Sequence, residues 1–140
     1  MNPFQAYKRQ QEPTGWTRID KVLALYDGAI GQLIKAQNLL NAKDRNKAMP
    51  YLSKSQLIIM GLATVAPLDT NKELAENLLR LFEFCTYQIS LAQEETVADA
   101  IKILQTLRKG YEAIRPEVAA MERCGKLARA ESLRMVQGIA

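Results

Sequence analysis

The sequence predicts an all-α protein: an antiparallel up-down-up-down four-helix bundle, with an N-terminal leader segment and a C-terminal tail of weak helical signal. Three observations carry this. Four long segments repeat apolar residues at spacings of three and four, the period of a helix that buries one face. Three of those segments are preceded by a capping pattern, Thr17 with Asp20, Thr70 with Glu73 and Thr96 with Asp99. In such a pattern the hydroxyl accepts a backbone N–H and the acid sits at the positive helix end. No segment alternates in the manner of a strand, and the connections are short, which makes successive helices antiparallel neighbours.

The first helix is predicted from about Arg18 to Asn41. Ile19, Val22, Leu23, Tyr26, Ala29, Ile30, Leu33 and Leu40 fall on one face. Gly28 falls away from that face, beside Ala24 and Gly31. Glycine inside a helix costs roughly 1 kcal/mol relative to alanine, so a close approach by another backbone is expected there. Either this chain or a partner could make that approach. Asp20 and Asp27 are expected on different sides of the helix, one as a cap and one solvated or hydrogen-bonded.

The polar run 42–46 ends this helix, and a second is predicted from about Lys47 to Val65. Pro50 is tolerable there in a first turn, where N–H groups have no partner within the helix. Tyr51, Ile58, Leu62 and Val65 make one stripe, while Leu57, Ile59, Met60 and Ala63 extend the apolar surface around it. After Pro67-Leu68-Asp69, the third helix is predicted from Thr70 to about Gln93. Leu74, Leu78, Leu81, Phe82, Cys85, Ile89 and Ala92 form its inward stripe, with Phe84, Tyr87 and Leu91 on the far side. The fourth is predicted from Thr96 to about Arg115, with Pro116 ending or kinking it. The organisation that follows is a mobile leader over 1–16, a bundle over 17–116 and a tail over 117–140. The tail carries Val118, Met121, Leu127 and Leu133, interrupted by Gly125.

Composition narrows the function. The chain has 140 residues, 48% of them hydrophobic, which suits one domain with a substantial core. There is no histidine. That removes the usual general base and the commonest metal ligand, and with no phosphate-binding glycine loop it argues against catalysis, cofactors and metals. A net charge of +4, with Lys126, Arg129 and Arg134 interleaved with Glu117, Glu122 and Glu131, reads as a solvated helix rather than a nucleic-acid surface. Nothing in the sequence spans a membrane or resembles a signal peptide, and Cys85 and Cys124 give no disulfide framework. A cytoplasmic protein is expected.

The apolar surface exceeds what a bundle buries. Two stripes on one helix need two partners, and a contiguous exposed patch marks an interaction surface. The leader or tail, a second copy in a homodimer, or a foreign chain could cover it.

The residues also resemble a known family. Asn2-Pro3-Phe4-x-x-Tyr7 followed by Leu25-Tyr26-Asp27-Gly28-Ala29-Ile30 is similar to the flagellin export chaperones, the FliS family. Lys54-x-Gln56-x-Ile58-Ile59, Glu73-Leu74-Ala75-x-Asn77-Leu78, Leu81-Phe82-Glu83-Phe84 and Leu107-Arg108-x-Gly110-Tyr111 continue the resemblance in order, over about residues 2–115. The chain departs from the family pattern at Thr17-Arg18, where Ser-Pro or Thr-Pro is usual, and at Ala92-Gln93, where Ala-Asn is common. The resemblance implies a chaperone without catalysis. Such a protein binds the C-terminal segment of flagellin in the cytoplasm, prevents its polymerisation and hands it to a component of the flagellar type III export apparatus. The residues expected to meet a partner are Phe4 and Tyr7 in the leader, Ala24 and Gly28 on the first helix, Leu57 and Met60 on the second, and Phe84, Tyr87 and Leu91 on the third.

Overall fold

A computed structural model describes residues 17–65 and 72–124, and within them four α-helices and no strand. Helix α1 spans Arg18–Asn41, α2 Arg45–Val65, α3 Lys72–Ser90 and α4 Glu94–Arg123. Helix α1 packs against α2 and α4, and α3 packs against the same two, so α1 and α3 lie diagonally opposed. Side-chain pairs set the directions. Asp20 meets Arg115 and Asp27 meets Arg108, so α1 and α4 run antiparallel.

Helix α1 begins where its capping residues place it. The Asp20 N–H donates to the Thr17 hydroxyl at 3.4 Å, and the Thr17 N–H donates to Asp20 Oδ2 at 3.0 Å. Its apolar front is the centre of the core. Tyr26, Ala29, Leu33 and Ala36 are fully buried, and the Tyr26 ring lies 5.5 Å from Tyr111 and 6.4 Å from Phe82. Among the described residues the buried Tyr26 hydroxyl finds no hydrogen-bond partner, and an unsatisfied buried hydroxyl costs about 1–3 kcal/mol.

Several boundaries differ from expectation for identifiable reasons. Helix α2 starts at Arg45, because Asp44 supplies the cap: its Oδ1 accepts from the Lys47 N–H at 3.3 Å, and its carbonyl accepts from Ala48. Pro50 is therefore the sixth helical residue rather than a first-turn one. It leaves the Asn46 carbonyl without its intrahelical donor, and it does so on an exposed face where water can substitute. Ile59, expected on the outer surface of α2, is in the core with Ala48, Leu52, Ser55 and Leu62.

Helix α3 stops at Ser90, three residues before the expected Gln93. The Leu91 and Ala92 N–H groups bond back to Gln88 and Ile89, and Ala92 adopts φ 53°. This tight reversal brings Gln93 into position as the cap of α4, where its N–H donates to the Thr96 hydroxyl at 3.2 Å. Thr96 is thus the third residue of α4 and not its cap. Thr70, the expected cap of α3, lies outside the described residues.

Helix α4 continues through Pro116 to Arg123 instead of ending at Arg115. Tertiary contacts hold the extension. Ala119 joins Ile19 and Leu23 in a small apolar cluster with Tyr111 and Val118, and the Arg18 N–H donates to Glu122 Oε2 at 3.1 Å. These contacts offset the hydrogen bond that the proline removes. They also explain the two aspartates. Asp20 and Asp27 are seven residues apart, which is two helical turns, so they share a face. Both point at α4, correcting the expectation that they diverge. Arg115 Nε lies 2.5 Å from Asp20 Oδ1, and Arg108 Nε lies 2.5 Å from Asp27 Oδ1 while its Nη1 reaches Glu112.

An outer apolar face around helix α3

Helix α3 buries only Leu78, Phe82, Cys85 and Ile89. Those four positions define a narrow inward stripe, and every other apolar residue of the helix must lie beside or opposite it. Leu81 precedes Phe82 and so sits about 100° away around the helix. It is 37% exposed, and Leu74 is 46% exposed. Both were expected in the inward stripe, and both lie on its flank instead. Burial pushes the Cys85 thiol up to about 11, so it is an inert core group.

The two flanks of α3 form two apolar grooves. Between α2 and α3 is a trough of about 470 Å³, lined by Ile59, Met60, Ala63, Leu79, Phe82 and Tyr87, with Glu83, Thr86 and Ser90 at its polar points. Its wall is fixed by Gln56, whose Nε2 donates to the Thr86 carbonyl at 3.1 Å. Between α3 and α4 is a smaller trough of about 240 Å³, lined by Leu74, Leu78, Leu107, Gly110 and Ile114, with Thr106 and Tyr111 as its hydroxyl-bearing side chains. Phe84 stands on the ridge of α3 between them and is 47% exposed.

Four of the residues singled out from the sequence are brought onto this outer surface. Leu57 and Met60 on α2 and Phe84 and Tyr87 on α3 are all exposed. Leu91 is half-buried in the turn after α3, because the helix has already ended. Ala24 and Gly28 are half-buried on α1, diagonal to α3, and are not brought to these grooves. A Cβ on Gly28 would lie 3.5 Å from Ile58 Cδ1, an ordinary van der Waals contact. The side chain approaching Gly28 is therefore this chain's own. Phe4 and Tyr7 lie outside the described residues. The pattern missed Leu79, Leu74, Leu81 and Ile114 as surface residues. The spacing carries no signal that would mark Leu74 or Leu81 as exposed, because both lie beside the core stripe, where buried residues also fall.

The surface offers burial and little else chemically. Among the described residues there is no cluster of three or more His, Cys, Asp or Glu side chains, and no helix is long and apolar enough to cross a membrane. The polar side-chain groups lining the α2–α3 trough are the Glu83 carboxylate and the hydroxyls of Thr86, Tyr87 and Ser90. The fold and the surface together describe a four-helix bundle with two apolar grooves on its outside.

The family follows from comparison. Residues 1–118 match the family model described as flagellar protein FliS, and the chain belongs to that family of flagellar export chaperones. No curated protein and no solved structure gives a significant match.

Proposed function

We propose that this protein binds the C-terminal segment of flagellin along the α2–α3 face, keeps it from polymerising prematurely in the cytoplasm, and delivers it to a component of the flagellar type III export apparatus. The observation that carries the reading is the outer apolar face, with Leu57, Met60, Phe84 and Tyr87 exposed and Met60 and Tyr87 lining the α2–α3 trough, in a chain of this family. Covering the exposed halves of four such side chains supplies on the order of 3–6 kcal/mol. Ordering a disordered client segment consumes part of that gain. The balance is binding that is specific and reversible, as handover to an export machine requires.

The test is co-expression with a flagellin C-terminal fragment followed by size exclusion. Co-elution as one complex is expected. Separate elution of both proteins contradicts the reading, and a chaperone peak at twice its mass without flagellin would assign the face to a homodimer.

A further inference from the structure

We draw no further inference here: the strongest candidate, the apolar groove between α3 and α4 lined by Leu74, Leu78, Leu107, Tyr111 and Ile114, carries nothing because nothing in the structure shows what covers it.

Discussion

Helices α1 and α3 sit at opposite corners of one bundle and are built differently. Helix α1 buries nine residues and is fastened on its α4 side by Asp20–Arg115 and Asp27–Arg108. Helix α3 buries four and leaves Leu74, Leu79, Leu81, Phe84 and Tyr87 exposed. Neither difference comes from helix propensity. Both follow from how closely the neighbouring helices approach. Helix α1 packs extensively against α2 and α4, which cover its apolar front. Helix α3 packs far more lightly against the same two helices, so only four of its residues are buried and its flanking apolar side chains stay exposed. The bundle thus has one corner that is buried within the chain and one that is left open to solvent.

The largest effect that sharpens this contrast is in the inward stripe of α3. Leu78→Ala should destabilise the protein by about 2–5 kcal/mol, as a buried cavity does, measured by urea unfolding. A loss under 1 kcal/mol would mean that α3 contributes little to the core.

Gly28 probes the α1 corner. The structure gives its substitutions opposite signs. Alanine places a Cβ 3.5 Å from Ile58 Cδ1, so Gly28→Ala should stabilise by up to about 1 kcal/mol. Gly28→Leu extends past that contact and should destabilise by about 1–3 kcal/mol through overpacking. Thermal unfolding of the two variants decides it. Equal gains in stability from both would show that α2 does not close over this position.

A smaller effect concerns the start of α1. Burial raises the Asp20 carboxyl, but hydrogen bonds from the Thr17 backbone and from Arg115, together with the Thr17 hydroxyl and the Arg115 charge, outweigh it and hold the group below its ordinary 3.8. A carboxyl depressed in the folded state stabilises above its unfolded value, and that contribution disappears as the pH falls through the folded one. Asp20→Asn should therefore cost about 1 kcal/mol at neutral pH. Its deficit should close as the pH drops below 3.8. A deficit independent of pH would mean that the carboxylate charge plays no part.

How much of this was legible beforehand varies by element. Helix α1 was readable to both ends, because Thr17 and Asp20 cap it locally and a polar run stops it. The end of α4 was not, since the contacts that carry it past Pro116 come from Ile19, Leu23 and Arg18, about a hundred positions away in sequence. No local rule contains them. The outer face was legible where an apolar residue opposes the stripe, as Phe84 and Tyr87 do. It was not legible at Leu74 and Leu81, which lie beside the stripe. Whether a flanking residue is buried depends on how closely the neighbouring helix approaches, and that distance is a property of the assembled bundle. Gly28 shows the same division. The sequence marks a close approach there, and only the fold identifies Ile58 as the group that makes it.

The central claim is that the exposed side of α3 binds while its inward side folds. It is tested most directly by titrating a flagellin C-terminal fragment into the Phe84→Ala, Tyr87→Ala double variant by calorimetry, with urea unfolding of the same sample. The expected result is a dissociation constant weakened at least about tenfold, a loss of ~1.4 kcal/mol, with unfolding stability within about 0.5 kcal/mol of the parent, as for surface substitutions. Unchanged affinity, or an unfolding loss as large as that of Leu78→Ala, would contradict it.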